Sequence, residues 1–506
     1  MSILCDITQF KVATSNIILY TIFMWKNEYK DCLEYIDSYW NRITYKPSSL
    51  RLRYRINNLP YQLPYAERLP MIGKKEIKNK DINPRSIKLP HYYFVPNDNK
   101  FTYIYYWDSF FIFKGLMGTK REWLMPEMIE NFIYLFKTFN IIPNFSAPAS
   151  IGRTQAPFFS SMIMDTYLKN LNTTNPYRHL TGIKRKWHEV SMKNWLKRTM
   201  AVAKEEYELV WIDKENTYNH HVNNYILSRY GDRDIGYAHS SELESGWDLT
   251  SRFYNRCDQF LPIDLNSYLY KYETDFALAE EILGNREEAE KWRKKAKERK
   301  KAMQIMWDDD EGFFYDYGYG FEKISHYFSL ASFTPLWAGI ATAEQAKRTL
   351  KHLPKFETPY GLTIGAETSL AKPIDLSKIQ RRYHPAIEEI IKPKQWDYPN
   401  IWSPLEYLTV IGLLRYGYTT EAKRIMTSSV QTHARLFRKY KTFFEKINGK
   451  TGEPSIGYAY AMQEGFGWTN AVFFRYIQIL DTMNNGQEIY KESSSKEPPY
   501  DLAILS

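Results

Sequence analysis

The stretch Met125-Pro126-Glu127-Met128-Ile129-Glu130-Asn131-Phe132-Ile133-Tyr134-Leu135-Phe136-Lys137-Thr138-Phe139 sets apolar residues three and four apart along its whole length. That spacing lays one apolar stripe along a helix. The same period returns over 265–283, 285–306, 335–346, 405–416, 420–438 and 467–480, with loops of Pro, Gly and Asn between. Few segments alternate as strands do. The pattern predicts an all-α fold of paired helices whose loops, on one face, carry the chemistry. No sharp internal repeat accompanies it, and helix pairs closing into a ring need none.

Outward from this region the texture changes. Residues 1–45 read as a helical segment. Residues 46–104 carry prolines at 47, 60, 64, 70, 84, 90 and 96, which exclude a run of long helices. Aromatic and aliphatic residues punctuate that stretch, so it reads as an irregular wrapping arm. Residues 105–483 form the main unit, parts of 35–104 packing with it. The polar residues 484–506 are expected to fray.

The bulk numbers narrow the class. Hydrophobic residues make up 44% and charged residues 25% of the 506, as in ordinary globular chains. Aromatic residues, at 16%, are abundant enough for a ring-rich core, a ring-lined cleft, or both. The net charge is +10, but Lys and Arg are mixed with Glu, and the densest basic stretch, 291–301, reads as a solvated helix face. No nucleic-acid motif is present, so no nucleic-acid partner is expected. Three cysteines (Cys5, Cys32 and Cys257) give no disulfide framework and fit a reducing compartment. Neither CxxC nor HxxxH occurs, and no metal site is expected. The apolar run 17–25 is too short for a bilayer and lacks a basic leader or a cleavage site. A cytoplasmic protein without a membrane anchor is expected, with secretion the other reading. Nothing in the sequence sets an oligomeric state.

Chemistry enters through three Trp-Asp pairs: Trp107-Asp108, Trp247-Asp248 and Trp396-Asp397. An indole packs on the C–H face of a pyranose, and a carboxylate accepts its hydroxyls. In a chain with 14 Trp and 41 Tyr, the recurrence points to a carbohydrate-active enzyme. Breaking a glycosidic bond takes two carboxyl groups, one protonated and one ionised. Asp248 is the first candidate. Burial against Trp247 and the neighbouring carboxylates Glu242 and Glu244 would raise its pKa, as a proton donor requires. Gly246 would let backbone approach a ligand. Equally, Asp248 could cap a following helix over 249–255. Glu445 is the second candidate, at the lip of Thr442-Phe443-Phe444, with a surface salt bridge to Lys446 or Lys441 as the other reading. Trp307-Asp308-Asp309-Asp310-Glu311-Gly312 lacks the ligand pattern of a calcium loop and reads as a helix-to-helix turn. No GxSxG or phosphate-binding loop occurs.

These segments together resemble the trehalase family. Gln395-Trp396-Asp397-Tyr398-Pro399-Asn400-Ile401-Trp402-Ser403-Pro404 matches its signature QWDxPNxWxP throughout. Glu244-Ser245-Gly246-Trp247-Asp248-Leu249-Thr250-Ser251-Arg252 is similar to ESGWDxSSR, and EGFGWTN stands intact at 464–470. The segment ending Tyr105-Tyr106-Trp107-Asp108-Ser109 matches the other signature in part, and Ile142-Pro143-Asn144 with Arg153-Thr154-Gln155 matches a further loop. The resemblance implies an (α/α)6 toroid and an inverting hydrolase of an α-glucoside, trehalose first, with carboxyls about 6.5–9.5 Å apart. It implies Asp248 as general acid, Glu445 as general base, and Lys100, Phe101, Trp107, Asp108, Asn144, Arg153, Gln155, Arg229, Gly246 and Trp396 as substrate contacts. It implies no metal and no organic cofactor, and a small sugar as partner.

Departures from the pattern fall on substrate positions. Lys100 stands for an Arg, and a point charge replaces a planar fork. Tyr103 stands for a Glu. Arg229-Tyr230-Gly231-Asp232 stands for RPES, and 452–460 replaces a glycine-rich lid, with Ala459 in the place of its Glu. These changes bear on which α-glucoside fits. Two further readings follow: the same chemistry on another disaccharide or on a glucoside with a non-sugar aglycone, and a non-catalytic sugar-binding protein on a degenerate hydrolase fold.

Overall fold

Helices buried on most sides alternate along the chain with helices that bury one face, and the two kinds occupy different places. The structure, a computed structural model, describes residues 28–47, 86–171, 182–222, 224–231, 238–320, 322–370, 393–457 and 460–484. The apolar run 17–25, most of the proline-rich arm, Asp232, Ala459 and the polar tail lie outside these residues.

In chain order the helices among the described residues are α1 (Lys30–Ile43), α2 (Tyr106–Leu116), α3 (Leu124–Phe139), α4 (Phe159–Leu171), α5 (Gly182–Glu206), α6 (Ala238–Ser245), α7 (Ile263–Leu283), α8 (Arg286–Ala302), α9 (Thr334–Ala338), α10 (Ala343–Leu350), α11 (Ser403–Arg415), α12 (Thr419–Tyr440) and α13 (Gly467–Asn484). Every residue of α2 is buried, as is nearly all of α11. These helices have no solvent face, so they belong in an inner layer. The inner layer closes on itself: α2 packs on α4, α4 on α7, α7 on α9, α9 on α11, α11 on α13, and α13 back on α2. At that closure a Cβ on Gly115 would lie 2.4 Å from the Cα of Ala471, so only glycine permits the approach.

The helices with one buried face form the outer layer. Helix α8 buries Ala289, Trp292, Ala296 and Arg299 against α7 and exposes all its lysines but the half-buried Lys300, as the sequence predicts for a solvated face. Helix α1 packs on α13, α3 on α4, α5 on α4 and α7, and α12 on α11 and α13. The result is the (α/α)6 toroid. Sheet is confined to short pairings. Thr44–Tyr45 pairs with Tyr93–Phe94, and Asn400–Ile401 pairs with Ile447–Asn448. The described end of the proline-rich arm lies along α3, where the Tyr92 N–H donates to Glu127 at 3.1 Å.

Three local expectations change. The segment 335–346 is two helices: Gly339, at φ 82°, closes α9, and a Thr342–Gln345 capping box opens α10. The 307–312 segment turns a β-hairpin rather than joining helices, with Trp307 opposite Phe314. No helix follows Asp248. Leu249 sits at φ 60° and the chain turns through 252–255, so the capping role is excluded.

Candidate active site

The loops that lead into the N-termini of α2, α4, α7, α11 and α13 hold most of the candidate residues. Three carboxyl groups from three of these segments face one another. Asp108, in the first turn of α2, interacts electrostatically with both Glu445 and Asp248, and Asp248 with Glu445. Loss of surrounding water pushes the partly exposed Asp248 carboxyl up to about 8. The like charges of Glu242 and Glu445 push the same way, and Arg153 opposes them. Burial likewise raises Asp108 well above the carboxylate range.

Glu445 is 1% exposed and held from both sides. Tyr460 donates its hydroxyl to Oε1 at 2.7 Å, and Lys446 Nζ lies 3.0 Å from Oε2. Burial raises its pKa, while Lys446, Tyr460 and Lys100 restrain the rise. The ion pair with Lys446 that the sequence offered as a surface feature is therefore internal. Exposed Lys100 sets its Nζ 4.3 Å from the centre of the Tyr460 ring, and Phe101 meets that ring edge-on at 5.3 Å.

The indoles of all three Trp-Asp pairs converge. Trp107 and Trp247 each lie 5.5 Å from Trp396, which stacks on Trp402 at 3.8 Å and 5°. Trp468 closes the group. Trp107 and Trp396 are each 2% exposed, so their rings serve chiefly one another. Gly246, at φ +79°, lies on this cluster: a Cβ there would come 2.8 Å from the Trp107 ring.

The loops are fastened by buried polar groups. Arg252 binds Asp264 and Asp316, with its guanidinium 4.5 Å from the Trp247 ring centre, and so ties the Asp248 turn to the start of α7. Asp397 does not reach outward. Its carboxylate accepts from Thr250, Ser251, Tyr327 and Lys394 at 2.8–3.1 Å. Gln155 accepts the Trp107 N–H at 3.0 Å, and Asn144 donates to the Thr154 and Leu243 carbonyls. Glu244 takes the N–H groups of Thr154 and Gly231 together with His220 Nε2. Nδ1 of His220 lies 2.6 Å from the Val210 carbonyl, so both ring nitrogens face acceptors, an arrangement that favours the doubly protonated ring. Burial opposes that charge, but Glu244 and the carbonyls outweigh it and raise the His220 pKa.

Arg229 is placed differently from the rest. Its guanidinium donates to Asn219, the Asp258 carbonyl and Tyr319, which makes it a tie between loops. Gly231 has no room for a side chain, because a Cβ would lie 2.5 Å from the Asn219 carbonyl oxygen. Sequence reasoning missed Tyr460, whose only signal is that it follows the hairpin returning to Glu445. It also missed Tyr105, whose hydroxyl interacts with Asp108 and Asp248.

A protonated acid facing an ionisable carboxylate, with fixed donors on the second, is the equipment of acid–base bond cleavage. Among the described residues, no group of three or more His, Cys, Asp or Glu is set to hold a metal ion, and no helix is long and apolar enough to cross a membrane.

Known proteins bear on this arrangement. The cytosolic neutral trehalase of Beauveria bassiana (strain ARSEF 2860) is 28% identical over 489 residues, 81% of this chain and 61% of that protein. The chain thus spans about three fifths of the length of that curated relative. Neutral trehalase Nth1 from Saccharomyces cerevisiae matches in structure with a TM-score of 0.62 at 27% identity, over 77% of this chain and 73% of that one. The GH63 mannosylglycerate hydrolase of Thermus thermophilus, solved with glucose, shares the fold with a TM-score of 0.55 at 16% identity, over 76% and 95%. The Trehalase family profile matches residues 37–484, from the middle of α1 to the end of α13, and the chain belongs to that family.

Proposed function

We propose that this protein is an inverting glycoside hydrolase that splits trehalose into two glucose molecules. The observation that carries the reading is the electrostatic pairing of Asp248, with its pKa pushed up to about 8, and Glu445, held by Tyr460 and Lys446. Asp248 is protonated at neutral pH and gives its proton to the glycosidic oxygen as the C1–O bond breaks. Glu445 takes a proton from a water molecule, whose oxygen forms the new bond to C1 from the opposite face. Asp248 then recovers a proton from solvent and Glu445 releases one. Asp108 and Arg153 are set beside Asp248 and serve to hold sugar hydroxyls, with Phe101, Lys100 and Gln155 around them. The names of the fungal relatives, both neutral trehalases, support the substrate. A small sugar is the partner this reading requires, and the name of the Beauveria relative, a cytosolic trehalase, supports the cytoplasm as the place.

A product assay by proton NMR tests it. Inversion at one glucose of α,α-trehalose releases α- and β-glucose in equal first amounts. Release of α-glucose alone would make the reaction a retaining one, and no release from trehalose or any other α-linked disaccharide would overturn the reading.

A further inference from the structure

Glu242 takes no part in the proton transfers above, yet it stands directly behind the donor. It lies near the end of α6 and is 3% exposed. Its Oε1 accepts the Thr250 N–H at 3.0 Å, and its carboxylate also accepts the Leu249 N–H. These are the two amides that follow Asp248 in the chain. Leu249, at φ 60°, occupies the left-handed region that a branched residue enters only at a cost. The turn therefore needs a hold, and it has one on each side. Gln395 donates to the Asp248 carbonyl at 3.0 Å and the Trp396 N–H to the Leu249 carbonyl at 3.2 Å, while Glu242 takes the amides.

The charged surroundings are specific. Lys394, Asp397, the Cys257 thiol and Asp248 face Glu242. Lys394 is also bound to the Thr250 carbonyl at 3.1 Å and to Asn255 at 2.6 Å. Around Asp248 stand Glu242, Arg153, Glu445 and Asp108, with the Tyr105 and Tyr460 phenols.

We propose that Glu242 is a positioning residue for the proton donor: it fixes the strained turn that aims Asp248, and its charge disfavours ionisation of Asp248. The proposal rests on the reading of Asp248 as general acid. Glu242 is itself raised to about 7, chiefly by burial, so the two acids titrate as an interacting pair across the neutral range. Glu242 touches no reacting atom and acts through Asp248.

The test uses the full chain with its aspartates labelled with carbon-13 at the carboxyl carbon. The Asp248 signal is assigned by its loss in Asp248→Asn. In Glu242→Gln, which keeps an acceptor oxygen but no charge, the Asp248 midpoint should fall by about one unit, and the alkaline limb of kcat/KM should move with it. Glu242→Ala removes the same charge and also frees both amides, so kcat should fall about tenfold even on the acid side of the alkaline limb. Thermal melting identifies which variants fold. If Glu242→Gln does not, Glu242→Asp carries the test, with a smaller shift in the same direction because its charge is drawn back. An unmoved Asp248 midpoint in the folded variant overturns the charge effect, and an unchanged kcat in Glu242→Ala overturns the positioning. Should the wild type cleave no α-glucoside, the hydrolase reading fails while the titration still decides the coupling.

Discussion

Tyr460 donates its hydroxyl to Oε1 of Glu445 across 2.7 Å, and this bond favours the ionised form of a carboxylate that burial would otherwise protonate. Removing it should raise the Glu445 pKa. A base must be ionised to work, so in Tyr460→Phe the acid limb of kcat/KM should move to higher pH. About a threefold to tenfold loss is expected near pH 5, with recovery towards neutrality. A uniform loss at every pH would instead place Tyr460 on the substrate.

In the proposed reaction the alkaline limb belongs to the other carboxyl. Asp248 is pushed up to about 8 by burial and then by Glu242, and only its protonated form can donate. Activity should therefore hold through neutrality and fall as pH rises through about 8. Asp248→Asn cannot donate at any pH and should lose about 10²–10⁴-fold in kcat, with the fold retained in circular dichroism. Glu445→Gln should lose a similar factor, because its amide cannot take a proton from water.

How far these positions are legible in the sequence depends on what kind of contact fixes them. Helix period predicts the outer stripe of α3, because one face meets solvent. The same period is faint in α4, whose described side chains are almost all buried, and in α5, where lysines and tryptophans interrupt the stripe. Both helices escape the periodicity for those reasons. Asp248 and Glu445 stand out in motifs, since their neighbours Gly246, Trp247 and Lys446 are sequence-local. Tyr460 reaches Glu445 only through a hairpin return, and the five-indole cluster assembles from four separate segments. Beside Trp396, Asp397 leaves a sugar contact and a structural role both open in the sequence, and in the fold its oxygens are taken by Thr250, Ser251, Tyr327 and Lys394. Long-range satisfaction of a buried carboxylate leaves no local trace.

Gly246 joins the proposed proton donor, Asp248, to the indole cluster by having no side chain. Alanine there must hold φ +79° and press a Cβ to 2.8 Å from the rigid Trp107 ring. The combined cost is about 2–4 kcal/mol. Gly246→Ala should melt several degrees lower and lose more activity than its stability explains, because the displaced ring and turn carry Asp248 with them. Differential scanning calorimetry beside kcat at a temperature where the variant is folded separates the two effects. Wild-type activity per folded molecule would count against this coupling.

Stability should respond to the same carboxyl in the opposite sense to activity. An aspartate in an unfolded chain titrates near 3.9, roughly, whereas Asp248 in the fold titrates at about 8. Between those values the native state keeps a proton that the unfolded state has released. Stability therefore declines as pH rises through that window. Buried Glu206 and Glu406, each raised to about 7 chiefly by burial, add to the decline. Asp248→Asn removes one contribution and leaves the others. Its melting temperature should match the wild type near pH 4 and exceed it by on the order of a few degrees at pH 8, with the gap constant above that. The gain would be the stability that the fold forgoes to keep a carboxylic acid protonated at neutral pH. A gap that stays flat from pH 4 to 9 would mean that Asp248 titrates like an exposed aspartate, and the assignment of the proton donor would have to move to Asp108, a raised acid that interacts with both Asp248 and Glu445.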